Sequence, residues 1–397
     1  MPPRQDGPDD SMIGQSASRL FAENVGRDLL ERTEDGVFPA ALWRLVADGG
    51  FAHALAREAA GGIGASWHEA WPILRGIGYW QVPLPLAETM VASLLLSLAG
   101  LEVPSGPIAL LDADVAAPVG GRVDARVDRV GWARHCPSLL CCTADGELLL
   151  VANGGADGSA RGGGSGGVSV VQASNHAGLP SDTVRLDGAP VSARAPNPLP
   201  SLRRPIRHLG ALVRSAMIVG ALERVLEESV RYANDRVQFG KPIGKYQAIQ
   251  QSLAMLAGEV SSARVAALVA TIDAPSDPAA DASAAGFGIA VAKVRCGEAA
   301  TRAAAIAHQV IGAIGFTREH PLHFATRRLW AWRAEFGTDA WWAEQLGRGA
   351  IATGPAGFWP AITARRFDPA LPASGSAAAS TSASISAPAP ASARTTR

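Results

Sequence analysis

The chain has 397 residues, of which 48% are hydrophobic and 18% are charged, and its 36 basic and 36 acidic side chains cancel. This length favours two or three domains with large apolar cores. Because a protein that binds phosphate backbones needs a basic excess, the neutral balance argues against nucleic acid as a partner. Residues 1–15 are polar and contain prolines, so we predict a disordered N-terminus, and they lack the apolar run of a secretory signal.

Residues 16–114 are predicted to form an N-terminal helical domain. Apolar residues recur at helical spacing in three stretches of this region, and the run Gly-Gly-Ile-Gly at 61–64 interrupts the pattern. Residues 115–202 predict a small antiparallel β domain, because aliphatic and β-branched runs alternate with turn residues such as Asp187-Gly188. A glycine-rich segment at 154–167 lacks the Gly-x-x-x-x-Gly-Lys order of a phosphate-binding loop and is interpreted as a flexible insertion.

Residues 203–365 are predicted to form a C-terminal helical bundle, because apolar residues recur at three- and four-residue steps. The most apolar stretch, 209–222, contains Arg214 and is shorter than the roughly 20 residues that cross a membrane, so we expect no membrane span and a cytoplasmic location. Residues 366–397 are rich in Ala, Ser and Pro and are predicted to be a disordered tail.

The four cysteines, Cys136, Cys141, Cys142 and Cys296, form no CxxC pairs. Three of them lie in one apolar run. We interpret them as small hydrophobic residues of a strand in a reducing compartment rather than as metal ligands or disulfide partners. No metal site is predicted.

The segment Arg236-Val-Gln-Phe-Gly-Lys-Pro-Ile-Gly-Lys-Tyr-Gln247 lies between two amphipathic stretches and is predicted to be a turn between helices. It presents two lysines, an arginine and a glutamine. An arginine at a helix end can hold an anion such as a pyrophosphate through charge-assisted hydrogen bonds. The residues alone leave a solvated basic loop as the other interpretation.

The order R-x-x-F-G-x-x-I-x-x-x-Q between two helices of a C-terminal bundle resembles the flavin-binding turn of acyl-CoA dehydrogenases. The resemblance implies that Arg236 contacts the FAD pyrophosphate and that Phe239 and Gln247 line the cofactor. Ile243 fills the matching apolar position. Gln238 stands where the family often has a hydroxyl residue and is included among the expected cofactor contacts.

A second segment, residues 307–321, resembles the family pattern Q-x-x-G-G-x-G-x-x-x-E-x-P. The resemblance implies that Gln309 faces the FAD adenylate of a neighbouring subunit and that Gly312 lets the backbone approach the cofactor. Ala313 replaces the second glycine of the pattern. Without the resemblance, the same residues read as a helix that ends at Gly312 and Gly315.

The resemblance covers residues 16–350 and implies an α+β, mainly α fold with an N-terminal helical domain, a reduced middle β domain and a C-terminal four-helix bundle. It also implies FAD-dependent α,β-dehydrogenation of an acyl-CoA thioester. The flavin would lie between the subunits of a dimer or tetramer, formed with itself or with a second acyl-CoA dehydrogenase subunit. An electron-transferring flavoprotein is the acceptor that the family uses.

This reaction requires a carboxylate in a dry pocket that takes the α-proton. In the family the base is a glutamate that directly precedes Gly-Thr after an arginine-rich helix. The matching position here is Phe336, and Glu335 lies one residue earlier. Thr338 matches the threonine of the motif. The family's other base position corresponds to about Gly210. Three interpretations follow: Glu335 acts as the base, a partner subunit supplies it, or the chain is a catalytically silent subunit that completes or stabilises an active homologue. Glu335 also fits a surface ion pair.

Two further features bear on the pocket. The family's Thr-Glu-Pro and Trp-Ile-Thr stretches, which help to seat the flavin ring, are not found between residues 107 and 191. Four tryptophans, Trp330, Trp332, Trp341 and Trp342, either shape an acyl pocket or pack a core or interface. The acyl group itself, whether a fatty acid or a steroid side chain, is not indicated by the sequence.

Overall fold

The computed structural model describes residues 11–154, 167–279 and 284–365. The predictions for residues 1–10, for most of the glycine-rich segment and for the tail from residue 366 lie outside these ranges. The first helix starts at Met12, inside the segment predicted to be disordered, because Ser11 caps it by accepting a hydrogen bond from the backbone N of Gly14 at 3.1 Å.

The N-terminal domain is helical, as its apolar spacing predicts. Its fourth helix begins with a capping box in which Ser66 and Glu69 satisfy each other's backbone N–H groups. The fifth helix is buried along its whole length, although it contains Glu88. The five helices are α1 (Met12–Asn24), α2 (Arg27–Glu34), α3 (Ala40–Asp48), α4 (Trp67–Trp80) and α5 (Leu86–Leu98).

The middle domain is built on a sheet whose described strands follow the order β1-β3-β4-β6-β2, with β5 paired to β6. Strands β1 and β3 are parallel, and the other pairings are antiparallel. The first strand starts at Ile108, before the boundary predicted at residue 115. The strands are β1 (Ile108–Val115), β2 (Arg122–Gly131), β3 (Ser138–Thr143), β4 (Glu147–Ala152), β5 (Val168–Val171) and β6 (Ser181–Pro196).

The cysteines are unpaired and buried, and two of them lie in β3. Burial raises the pKa of Cys141 to about 12, with a smaller contribution from Cys142. A thiol of this kind stays protonated and packs as a small hydrophobe. Among the described residues, no group of three or more His, Cys, Asp or Glu side chains is arranged to hold a metal ion.

The C-terminal domain packs long antiparallel helices around an alanine-rich core. A two-residue β pairing, β7 (Val237–Gln238) with β8 (Lys241–Pro242), shapes the turn between the first two helices. The last helix kinks at Gly354, whose φ is 73° and which precedes Pro355. The helices are α6 (Pro205–Asp235), α7 (Gln247–Asp273), α8 (Ala285–Ile311), α9 (Leu322–Ala334) and α10 (Asp339–Ala364).

Helix α4 lies directly on α6, so that the two backbones touch. A Cβ atom at Gly78 would lie 1.8 Å from the carbonyl O of Met217, and one at Gly220 would lie 1.9 Å from the carbonyl O of Arg75. These contacts anchor the N-terminal domain to the bundle and fix the position of α6, which also contacts strands of the middle sheet and the other helices α5, α7, α8 and α9.

Helix α7, rather than the stretch 209–222, is the described helix to compare with the length and apolar composition of a membrane span. By length and composition it passes that test, and 28% of its apolar window is buried. A core helix of a bundle satisfies the same criteria, and α7 packs with Leu256, Val260 and Ala263 against the main core. Its outer face leaves Met255, Val265 and Ile272 more than half exposed.

Candidate active site

A cavity of about 600 Å³ lies where the β domain meets the helical bundle. Its walls come from α5, β1, β2, the loop before β6, the N-terminal half of α6 and the turn between α9 and α10. Charged side chains line it alongside apolar ones, which is unusual for a pocket of this size. The residues that decide its chemistry are Glu88, Asp112, Asn175, Arg214, Glu335 and Phe336.

The turn between α9 and α10 has a constrained backbone. Phe336 and Gly337 are both left-handed, with φ values of 53° and 86°. Such a conformation is costly for a phenylalanine and persists only where its surroundings enforce it. Trp342 donates its indole N–H to the carbonyl O of Phe336 at 3.0 Å, and Thr338 caps α10 by accepting from the backbone N of Trp341 at 3.1 Å.

Phe336 and Gly210 face each other across this turn. A Cβ atom at Gly210 would lie 2.3 Å from the phenylalanine ring, so the ring occupies the space that a side chain on α6 would need. The two positions at which the family resemblance places a base are therefore adjacent in space, and neither carries a carboxylate in this chain.

Arg214 lies between two carboxylates at the floor of the cavity. Its Nε donates to Oε2 of Glu335 at 2.6 Å, and its Nη2 donates to Oε1 of Glu88. Arg214 and Glu88 are each only 3% exposed. Burial alone would lower the pKa of Arg214, but the charges of Glu88 and Glu335 more than offset it, so the pKa is raised above its usual value.

Glu335 thus reaches the cavity, but its carboxylate is already engaged. Besides Arg214, it accepts a hydrogen bond from Asn175 Nδ2 at 3.2 Å. Protonation of Glu335 would break the ion pair and leave the buried guanidinium with one carboxylate instead of two. The arrangement is that of a structural ion pair more than that of a free proton acceptor.

The opposite wall is formed by Asp112, Arg207 and Trp341. Arg207 Nε donates to both carboxylate oxygens of Asp112, at 2.9 and 3.1 Å, and the guanidinium lies 4.9 Å from the centre of the Trp341 ring. Trp341 is therefore a pocket residue. Of the other tryptophans, Trp332 and Trp342 are buried in the core and Trp330 is 44% exposed.

A second location is the turn between α6 and α7. Phe239 is left-handed, with φ of 52°, and 84% exposed, so an aromatic ring is held out into solvent by a strained hairpin. Arg236 and Gln247 are exposed at the two ends of the turn. Within the described ranges, the Arg236 side chain makes neither a hydrogen bond nor an ion pair. The side chain of Gln238 is exposed, and its carbonyl O accepts from the Tyr246 hydroxyl at 3.1 Å.

The two sequence motifs meet at this end of the bundle. Ile243 is buried in one small cluster with Ala233 of α6 and Val310 of α8. Gln309 is exposed on the last turn of α8, and Gly312 ends that helix with φ of 74°. Seven of the predicted cofactor residues therefore lie at one place: Arg236, Gln238, Phe239, Ile243, Gln247, Gln309 and Gly312.

Thr338, the eighth predicted cofactor residue, lies at the cavity instead. Arg214 and Arg236 are 22 residues apart on one continuous helix, which separates the cavity from the turn by about 33 Å at 1.5 Å per residue. The candidate residues thus form two groups at opposite ends of α6. Sequence reasoning missed Glu88 and Asn175, although a lone glutamate in the apolar stretch of α5 was a signal for a buried ion pair.

Comparisons with known proteins identify the family. Residues 208–351 match the model of the acyl-CoA dehydrogenase C-terminal domain. The acyl-CoA dehydrogenase IpdE2 of Mycobacterium tuberculosis is 26% identical over 80% of this chain and 89% of its own length. A chain of the ChsE4-ChsE5 complex from Mycobacterium tuberculosis superimposes with a TM-score of 0.73 at 25% identity, over 87% of this chain and 98% of that one.

A third neighbour is glutaryl-coenzyme A dehydrogenase in its glutaryl-CoA complex, with a TM-score of 0.70 at 19% identity over 87% of this chain and 96% of that chain. Together these similarities place residues 208–351 in the acyl-CoA dehydrogenase family and show that the chain as a whole is similar to acyl-CoA dehydrogenases. The predicted fold class, with N-terminal helices, a middle sheet and a C-terminal bundle, is confirmed.

Proposed function

We propose that this chain is one subunit of a heteromeric, FAD-dependent acyl-CoA dehydrogenase, in which a homologous partner subunit supplies the carboxylate base. One observation carries the proposal. Phe336 and Gly210 occupy both base positions and pack against each other, while the flavin-binding turn at the far end of α6 remains exposed. The chain thus retains the outer half of a flavin site without a base in its own cavity.

The residues at the turn fit FAD. An exposed guanidinium suits a pyrophosphate, which arginine binds in a bidentate fashion. The exposed ring of Phe239 offers an apolar surface, and the amides of Gln247 and Gln309 offer hydrogen bonds. When bound, FAD supplies the hydride acceptor. The protein residues would hold the cofactor, exclude water and orient the thioester.

The distance of about 33 Å between the cavity and the turn determines whether one FAD molecule can contact both within the same chain. One dinucleotide does not reach both groups of residues within one chain. The turn formed by Arg236 and its neighbours therefore serves a flavin whose ring lies in the cavity of a partner, as the family resemblance implies for Gln309.

The outer face of α7 offers a surface for that partner. Met255, Val265 and Ile272 are exposed apolar side chains, and the exposed small residues Ala254 and Gly258 on either side of Met255 in the sequence allow a helix to approach closely. The proposed occupant is a second acyl-CoA dehydrogenase subunit. The ChsE4-ChsE5 complex, whose chain shares this fold, contains two different subunits. An electron-transferring flavoprotein is the proposed acceptor.

A second candidate function is dehydrogenation by this chain alone with Glu335 as the base. Its favourable observation is that Glu335 lines the cavity. Against it stands the ion pair with Arg214 at 2.6 Å, which engages the carboxylate oxygen that would have to accept the proton. A third candidate is a catalytically silent subunit that stabilises the flavin site of an active homologue without a contact from its own turn to the flavin.

The test is to purify the full chain alone and after co-expression with each homologous acyl-CoA dehydrogenase chain of its source organism. Flavin content is measured by absorbance, and turnover by reduction of a dye with a panel of fatty and steroid-type acyl-CoA thioesters. We expect no turnover from the chain alone, and flavin and turnover from one of the pairs. Turnover by the chain alone that is abolished in Glu335→Gln would contradict the proposal.

Arg236→Gln separates a contributing turn from a silent one. Loss of a hydrogen bond to a charged group costs about 1.5–3 kcal/mol, so flavin should bind the active pair about 10- to 100-fold more weakly. The matched control is Arg231→Gln, an exposed arginine on the preceding turn of α6 that lies 4.0 Å from Glu228. Equal flavin affinity in the two variants would support the silent subunit.

A further inference from the structure

Lys293 of α8 is a buried lysine whose ammonium is directed at main-chain oxygens. The residue is 0% exposed, although lysine is almost never fully buried without a partner. Its Nζ donates to the carbonyl O of Trp332 at 3.2 Å, of Arg333 at 2.8 Å and of Gly337 at 2.8 Å. Each of its three N–H groups therefore has an acceptor.

These three oxygens flank the turn that shapes the cavity. Trp332 and Arg333 belong to the last turn of α9, where carbonyl groups favour a nearby cation, and the carbonyl O of Trp332 also accepts from the backbone N of Glu335 at 3.3 Å. Gly337 comes directly after Glu335 and Phe336, two of the residues that line the cavity. The ammonium consequently joins the helix before these residues to the backbone after them.

The choice of lysine at this position is informative. The chain has 36 basic residues but only three lysines, at positions 241, 245 and 293. A guanidinium directs its donors in a plane, whereas an ammonium directs three donors as a compact point charge. Three carbonyl groups that converge from one side match the ammonium.

We propose that the charged Lys293 side chain is a positioning residue that holds the turn at residues 335–338 in its left-handed conformation, so that Phe336 covers Gly210 and Thr338 faces the cavity. The assignment depends on the proposed function only in naming this cavity as the acyl-CoA and flavin pocket. The role of Lys293 in shaping the turn stands on the geometry of this chain alone.

The proton on Lys293 is subject to its whole environment. Burial lowers the pKa of Lys293 to about 7, opposed by the charges of Glu335 and Asp339 and the nearby Cys296, and reinforced by Arg214. A neutral amine has two N–H donors for three acceptors. Deprotonation therefore removes one of the three hydrogen bonds that Lys293 donates to the turn.

Loss of the same proton from Lys293 has the opposite effect on the free energy of unfolding of the whole chain, which rises with pH. Since the folded-state pKa lies below the usual 10.5, the unfolded chain binds more protons between about pH 7 and 10.5. This group therefore makes the folded chain more stable as pH rises through that window. A positioning role predicts that the turn loosens while the fold as a whole gains stability, because opening of the turn separates the still-buried ammonium from its acceptors, whereas global unfolding returns it to water. If Lys293 does not position the turn, protection of the turn stays constant or rises together with global stability.

The experiment is amide hydrogen exchange on the full chain, in whichever assembly it is purified, at pH 6 and pH 9 with correction for intrinsic exchange. We expect protection of residues 335–342 to fall by at least about tenfold at pH 9, equal to about 1.4 kcal/mol, while the denaturant midpoint does not fall. Lys293→Met should show the weak protection at both pH values. Arg302→Met is the control, an exposed basic residue on the same helix.

Protection that is unchanged with pH in the natural chain would overturn the proposal, as would Lys293→Met with natural protection at pH 6. Because the readout needs neither flavin nor partner, its failure is separate from failure of the heteromeric function. The natural chain provides the pH comparison even if Lys293→Met does not fold.

Discussion

Replacement of Arg214 by methionine tests whether the cavity floor is held together by its charges. Methionine has a similar length and no charge, so the variant leaves Glu88 and Glu335 facing each other without a cation. Glu88 is 3% exposed and Arg214 is its one ion-pair partner within the described residues. Removing one partner of a buried ion pair costs about 3–5 kcal/mol, and the free energy of unfolding from denaturant titration should fall by this amount.

The result at acid pH distinguishes this cause from loss of packing. Burial without a cation favours the neutral acid, so Arg214→Met should regain stability relative to the natural chain when pH is lowered from 7.5 to 5. Adding Glu88→Gln to the variant should restore part of the loss at pH 7.5. Arg348→Met is the control, since its pair with Glu344 is about half exposed and worth at most about 1 kcal/mol. A loss below about 1 kcal/mol, or one that does not change with pH, would refute the reasoning.

Three other outcomes are expected. Glu335→Gln should leave turnover of the active pair within a few-fold of the natural value, as measured by dye reduction, whereas a drop of about 100- to 10,000-fold would identify Glu335 as the base. Gly78→Ala should lower the free energy of unfolding by about 1–3 kcal/mol because its Cβ would meet the backbone of Met217. The control, Gly258→Ala on the open face of α7, should raise the free energy of unfolding by up to about 1 kcal/mol. Equal denaturant midpoints of the two variants would contradict the close contact between α4 and α6. Burial lowers the pKa of His208 to about 4, so the unfolded chain binds more protons than the folded chain between pH 6.5 and 4. The free energy of unfolding should therefore fall by up to about 3 kcal/mol as the pH is lowered through that window. His208→Phe should remove this pH dependence, and an unchanged pH dependence would assign it to other groups.

The turn between α6 and α7 could be predicted because the residues that determine its backbone conformation lie within the turn itself. Gly240, Pro242 and Gly244 interrupt two amphipathic stretches, and the positive φ of 82° at Gly240 needs nothing distant in the chain. The order of the three domains followed from the same kind of pattern. The family resemblance then added the cofactor, which no spacing of residues provides.

The long strand β6 was missed for a physical reason. Asp187-Gly188 has the composition of a turn, so the sequence predicts that a strand ends before these two residues. In the structure these two residues form a bulge, since Val123 pairs with Ala189 and Ala125 with Leu186. The backbone N of Gly188 donates to Oδ1 of Asp124 at 2.6 Å, so a neighbouring strand replaces the bond that a turn would have made.

The cavity floor was beyond local reasoning. Arg214 is 126 residues from Glu88 and 121 residues from Glu335. The presence of a charge in each of two apolar helices indicated that partners were needed, but their identity depends on how α5, α6 and the α9–α10 turn pack. Likewise, the contact between Phe336 and Gly210 follows from helix packing, although both residues had been noted separately.

The length of α6 has a consequence for how such a subunit can diverge. On the proposed function, α6 carries the chain's own cavity near its N-terminal end and the turn that contacts a neighbour's flavin at its C-terminal end. Substitutions at Gly210 and Phe336 can therefore end chemistry in one place while selection continues to act on Arg236 in the other. After duplication of an ancestral gene, one copy can lose its reaction and still be indispensable, because the active copy depends on it for part of its own flavin site.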